Sequence, residues 1–196
     1  VYSVTTNIAE SGKSLEIFQA SERVMIRRLA GADVKNPLVI VVPSGSGSAV
    51  MTIHTQDAAG IETAERILAE SFTFDIRLEG PKMPEALPDE INWVPTGIDG
   101  STLLWITPIS NPTTKEVGVE LHFNDIGQKL LQEAFKDNVG KSLGIFVRDL
   151  LVSKMTISTT QVSDHILISG IPSERVAQIF ADDVNVGLHA IFTPLK

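Results

Sequence analysis

Gly140-Lys141-Ser142 spells the end of a phosphate-binding loop. That chemistry needs G-x-x-x-x-G-K-[ST], in which backbone N–H groups and a lysine cradle the phosphates. The position five before Gly140 is Phe135, not glycine. The order of elements is also reversed. A helical pattern precedes Gly140 and a strand pattern follows, so a phosphate would meet the negative end of a helix dipole. Gly140 reads instead as the C′ glycine of a helix stop, with Lys141 complementing the helix end. The glycine-rich Ser44–Ser48 lies between two strand patterns with no helix behind it, and reads as a hairpin turn. His54, His122, His165 and His189 each fall in or beside a different strand, and no pair has the i,i+4 spacing of a helical zinc site. The chain has no cysteine, which removes disulfides, thiolate ligands and a cysteine nucleophile. No G-x-S-x-G elbow offers a serine nucleophile. Asp182 and Asp183 are adjacent on a helical pattern, about 100° apart, so they do not form a ready carboxylate pair. They also stand late in that helix, where acids are slightly unfavourable. The expectation is a non-enzymatic chain with no cofactor and no metal. Trp93 and Trp105 flank a proline-rich joint. Both fit core packing; exposed, they would anchor an apolar peptide segment.

Composition narrows the partners. The 196 residues carry a net charge of −8, with 43% hydrophobic and 20% charged residues. This is a globular balance. It disfavours a nucleic-acid partner, because that affinity comes from lysine and arginine on phosphates and no basic cluster exceeds Arg27-Arg28. No apolar run approaches the ~20 residues of a membrane span. The chain starts in strand-like residues rather than a signal peptide. The expectation is a soluble piece, not itself membrane-inserted.

The elements that must position these residues alternate clearly. Val1–Thr5 reads as a strand, followed by a helix capped by Ser14, running to about Ala30 and ended by Gly31. Leu38–Val42 and Val50–His54 read as strands, and 60–70 as a helix. Phe72, Phe74, Ile76 and Leu78 alternate strictly. This β-α-β-β-α-β order is the ferredoxin-like, split β-α-β arrangement. Residues 80–95 hold Pro81, Pro84, Pro88 and Pro95 and read as a linker or long loop. Beyond it come strands at 103–107 and 117–123, and a helix capped by Asn124 or Asp125. Strands follow at 143–147, 150–157 and 166–168. A last helix opens at Pro172-Ser173-Glu174 and closes at Gly187, and 188–193 forms a final strand.

Three blocks of the second half occur in a telling order: "WVPTGIDGSTL" (Trp93–Leu103), "VGVELHFNDIGQKLLQEAFKDNVGKSLGIFV" (Val117–Val147) and "ILISGIPSERVAQIF" (Ile166–Phe180). Together they resemble the large periplasmic domain of the SecD/SecDF protein-export family. Ala20–Val39, with its paired arginines, and Ala58–Gly80 match the first half of that domain in register. There are departures. The family's Asp-Gly hairpin becomes Arg148-Asp149, its Asp-Leu-x-Gly-Gly motif is missing, and Met155 stands where a proline is expected.

The resemblance implies an α+β chain of two subdomains: a ferredoxin-like base, 1–91 and 172–196, and an inserted head, 92–171. It implies an extracytoplasmic domain anchored by membrane helices elsewhere. Its partners would be unfolded preprotein and, through the full-length protein, the Sec translocon channel and a SecF-like subunit. It would use the proton-motive force, with the head moving against the base. Trp105 and Phe146 are then the candidate substrate contacts, and Met83, Pro84, Pro88 and Pro95 the candidate hinge. The rival expectations are a stand-alone protein-binding module with the same fold, and a nucleotide-binding enzyme built on Gly140–Ser142.

Overall fold

The computed structural model describes residues 1–82, 84, 87, 90–160 and 165–195. The elements run β1 (Tyr2–Thr6), α1 (Ser11–Gly31), β2 (Leu38–Gly45), β3 (Ser48–His54), α2 (Ala58–Ala69) and β4 (Phe74–Glu79). They continue with β5 (Trp93–Asp99), β6 (Leu103–Ser110), β7 (Val117–Phe123), α3 (Asp125–Lys136), β8 (Ser142–Val147) and β9 (Leu150–Thr156). The last are β10 (His165–Ser169), α4 (Glu174–His189) and β11 (Ala190–Pro194). The chain is α+β, and every paired strand in its three sheets is antiparallel to its neighbour. Two compact units form: Val1–Ser71 with Ile179–Lys196, and Phe72–Gln178. The sequence reading placed these divisions at 91/92 and 171/172.

The first unit carries a four-stranded sheet in the order β11-β1-β3-β2. β1 and β2 are both antiparallel to β3, so they run parallel with β3 between them. This is a split β-α-β unit with α1 as its crossover. The fourth strand of this sheet is β11, not the alternating stretch 72–78. That stretch, β4, pairs with β5 and β8 in the other unit. Alternation reports a half-buried strand but not which sheet receives it.

α1 forms because Ile17, Phe18, Ser21, Val24, Met25 and Leu29 fall on one stripe and are buried. Met25 and Leu29 join Val4, Val39 and Met51 of the sheet, and Ala64 and Ile67 of α2, in the core. The helix begins at Ser11, a turn before its expected cap. The N-cap position is Glu10, and Ser14 donates its hydroxyl to the Glu10 and Ile8 carbonyls. α4 also outruns its expected stop. Gly187 lies inside it, and Val184 and Val186 on either side of Asn185 are buried. Packing of this kind outweighs the ~1 kcal/mol cost of a helical glycine.

The same helix carries Asp182, only 3% exposed. Arg23 of α1 clamps it with two hydrogen bonds, 2.9 Å from Nε and 2.8 Å from Nη2. Arg27 donates to it at 3.4 Å, and Arg28 donates to Asp183 at 3.1 Å. The acid pair therefore binds α4 to α1 within this unit.

The second unit holds two sheets. One is β5-β4-β8-β9 and the other β10-β7-β6. Val119, Leu121 and Phe123 of β7, with Ile106 and Ile166 from its neighbours, are buried. α3 buries Leu131, Ala134 and Phe135, and Asn124 caps it by accepting from the Ile126 and Gly127 N–H groups. β5 begins at Trp93, inside the stretch 80–95 expected to be a linker, and runs on to Asp99. The proline and glycine that hid it, Pro95 and Gly97, flank an irregularity in its pairing with β4.

Most edge strands are interrupted, β10 being the exception among the described residues. β11, β2, β5 and β6 contain Pro194, Pro43, Pro95 and Pro108, and β5, β6 and β9 carry register shifts. At the open side of β2, the Glu22 carboxylate of α1 accepts the Val41 N–H at 3.1 Å.

Candidate functional site

Gly140-Lys141-Ser142 is consumed by local structure. α3 ends at Lys136 with Asp137 as C-cap, so Gly140 stands three residues past the cap rather than at C′. Its φ of +89° needs glycine, and nothing lies within 4 Å of where a Cβ would be. Its N–H donates to the Ile157 carbonyl at 2.8 Å. Lys141 Nζ donates to Asn138 Oδ1 at 2.8 Å, and the Ser142 N–H to Glu79 Oε2 at 2.8 Å. A carboxylate thus holds the donor that a phosphate would need. Hydrogen bonds from the Ser142 backbone and hydroxyl hold the Glu79 carboxyl below its usual range.

Phe146 lies inside the second unit, 5% exposed. The Arg77 guanidinium sits 4.1 Å from its ring centroid, and the Trp93 ring meets its edge at 5.5 Å and 76°. Gly144 makes room for that indole, since a Cβ there would come within 2.9 Å of Trp93 Cη2 and Cζ3. Asp75 holds Arg77 through two hydrogen bonds, and Asp149 of the β8–β9 turn takes a third. That turn, Arg148-Asp149, has φ values of 50° and 61° without glycine. Among the expected hinge residues, Met83 and Pro88 lie outside the described residues. Pro84 is an exposed turn residue, and Pro95 belongs to β5 opposite Arg77.

Trp105 is placed differently, half-buried on the face of the three-stranded sheet away from Leu121 and Phe123. The register sets three side chains across the sheet: Trp105 of β6, His122 of β7 and His165 of β10. The two imidazole centroids are 5.9 Å apart. The next row is Thr107, Glu120 and Leu167, and the row after it is Ile109, Gly118 and Ser169. His122 Nε2 lies 3.3 Å from Thr107 Oγ1 and 3.6 Å from Glu120 Oε2. Leu167 is 48% exposed, and its Cδ1 lies 3.3 Å from where a Gly118 Cβ would be. Gly118 itself is buried, and a Cβ there would also come within 2.5 Å of the Ile168 carbonyl oxygen. Sequence reading found Trp105 but not Glu120, His122 and His165 as its neighbours. The signal was present in Gly118, Glu120 and His122, every second residue of β7, which share one face. The pairing of His122 with His165 is a tertiary fact that no local pattern carries.

The remaining histidines are apart from this face: His54 is exposed, and His189 Nδ1 lies 2.8 Å from Asn7 Oδ1. Among the described residues, no group of three or more potential ligands is placed to hold a metal ion. Among those residues also, no helix is long and apolar enough to cross a membrane.

No family profile matches the chain, and no curated protein matches it. Solved structures do. One is described as a membrane component, SecDF, that enhances protein export. It is 15% identical with a TM-score of 0.52, over 100% of this chain and 99% of that one. A second is SecDF, a translocon-associated membrane protein from Thermus thermophilus, 17% identical with a TM-score of 0.53. A third is SecDF in a super-membrane-facing form, 17% identical with a TM-score of 0.51. The chain spans 29% and 28% of the length of these last two. The fold of this chain is that of these SecDF structures.

Proposed function

We propose that this chain is the extracytoplasmic domain of a SecD-like export subunit, which binds unfolded preprotein transiently and without catalysis. The observation that carries the reading is a fold shared with a SecDF structure from end to end of both chains. The organisation into two compact units supports it further. In this reading the ferredoxin-like base comprises 1–91 and 172–196, and the head 92–171. Head and base move against each other, with Pro84 near the joint. The proton-motive force, the Sec channel and a SecF-like partner act through the rest of the protein. Trp105 is the substrate contact of choice, because Phe146 is already enclosed by Arg77 and Trp93.

Photo-crosslinking tests the binding. The chain carries a photoreactive residue at surface positions of the second unit, Leu104 and Leu167 among them. It is mixed with a reduced, carboxymethylated and permanently unfolded test protein. Adducts with the unfolded but not the native form of that protein are expected. No adduct at any position overturns the reading. Spin labels, one in each unit, test the motion. A single narrow distance distribution would remove the head movement from the proposal.

A further inference from the structure

We infer that the outer edge of β10 receives an extended polypeptide as a fourth strand of the β10-β7-β6 sheet. The incoming chain alternates, with apolar β-branched residues on the face of Ile166 and Ile168. The inference rests on the polypeptide-binding reading above and gives that binding a place and a chemistry.

Register decides which backbone groups of β10 are available. Successive residues of a central antiparallel strand turn their N–H and C=O groups to opposite neighbours. On the β6 side, the Asn111 N–H donates to the Glu116 carbonyl. On the β10 side, the Ile171 N–H donates to the Val117 carbonyl. Even residues of β7 therefore turn toward β6 and odd ones toward β10. Val119 and Leu121 are odd, and they lie opposite Ile168 and Ile166. Those two residues of β10 direct their N–H and C=O groups at β7, so Leu167 and Ser169 turn theirs outward. Both are exposed, and β10 has no strand on its other side. Among the described residues, none pairs with these two N–H and two C=O groups.

Other outer strands are closed by comparison. Pro108 falls among the β6 residues that turn outward, so it removes a donor from the opposite edge of this same sheet. Glu22 occupies the Val41 N–H at the β2 edge, and Pro43 follows it. β10 has neither a proline nor a register shift. A row of donors and acceptors two residues apart is matched by another extended backbone. The side chains set the pattern of that backbone, because an added strand places alternate residues on the two faces. Residues beside Ile166 and Ile168 continue the face of Val119 and Leu121, which are fully buried. Ile168 is only half-buried, so a valine or isoleucine next to it would cover it. Residues beside Leu167 join the face of Thr107 and Glu120, where a threonine or serine fits. A second copy is a poorer occupant, since two chains of −8 repel each other.

Fluorescence anisotropy on the full chain tests the edge with a labelled heptapeptide that alternates threonine and valine. Two further forms are N-methylated, one at every valine nitrogen and one at every threonine nitrogen. A strand paired along one side uses only one of these sets. One methylated form should therefore bind about as well as the parent, and the other at least about tenfold more weakly. The threonine set is the sensitive one in antiparallel pairing and the valine set in parallel pairing. Ser169→Pro deletes an outward N–H and no bond to β7, and should weaken the parent peptide about threefold or more. Circular dichroism checks that this variant is folded; if it is not, the methylated peptides decide alone. Loss with both methylated forms or with neither overturns the edge, as does a folded Ser169→Pro chain that binds the parent unchanged. A parent peptide that fails to bind, while unfolded protein still crosslinks, overturns the edge and leaves polypeptide binding intact. Failure of both removes both. Self-association in sedimentation that Ser169→Pro abolishes would assign the edge to a second copy and overturn the proposal.

Discussion

Asp182 shows how one residue depends on partners far away in sequence. α4 runs on to His189, so Asp182 stands at mid-helix rather than late in it, and its carboxylate is buried because Arg23 and Arg27 of α1 reach it. Removing one member of a buried pair leaves the others desolvated and unpaired. Asp182→Ala should cost about 2 kcal/mol in urea unfolding, less than a fully enclosed pair, because the Arg23 side chain is 46% exposed. Asp183→Ala, at a more exposed partner of Arg28, should cost under ~1 kcal/mol. Equal losses would mean that burial at Asp182 is not what matters. Glu79 makes a prediction about acid. Its folded pKa lies below its unfolded value, so its contribution is complete above the ordinary carboxylate range and is lost as pH falls through that range. Urea midpoints between about pH 7 and pH 3 should fall less steeply for Glu79→Gln than for the unaltered chain. Parallel slopes would show that the Ser142 contact does not couple to protonation.

Elements were legible where one period ran undisturbed. Val117–Phe123 and the α3 cap at Asn124 are where the sequence puts them, because strict alternation and an Asx cap are local devices. β5 was hidden because Pro95 and Gly97 break the pattern at an irregular pairing that only β4 explains. The candidate site divides in the same way. Trp105 could be singled out by type alone, while its imidazole neighbours needed the register of three strands. The β2 edge gives the prediction at this scale. Glu22→Ala leaves the Val41 N–H without its acceptor, which should cost ~1 kcal/mol. It should also raise self-association in sedimentation velocity, since an unpaired edge recruits another strand. A variant that stays monomeric at high concentration would show that Pro43 alone closes this edge.

At the scale of the whole molecule, the α+β class and the family likeness were readable from ordered short blocks, each weak alone. The assignment of strands to sheets was not, because β11 returns to β1 from the far end of the chain. Phe72–Gln178 is one continuous stretch with both of its sheets complete within it. Expressed alone, residues 72–178 should give dispersed amide resonances and a cooperative melt. A collapsed spectrum would mean that this stretch depends on the remaining chain. Residues 1–71 alone lack β11 and α4, and should not fold cooperatively.

The interrupted edges bear on how long any client stays. Most outer strands contain a proline or a register shift, and β2 is stoppered by Glu22. A strand zipped along a long open edge is held by many cooperative bonds and leaves slowly. One that meets only the two outward residues of β10 is held by few and leaves soon. A molecule whose proposed task is to hand unfolded chains onward gains from this difference: its grip is built for brief residence and rapid exchange.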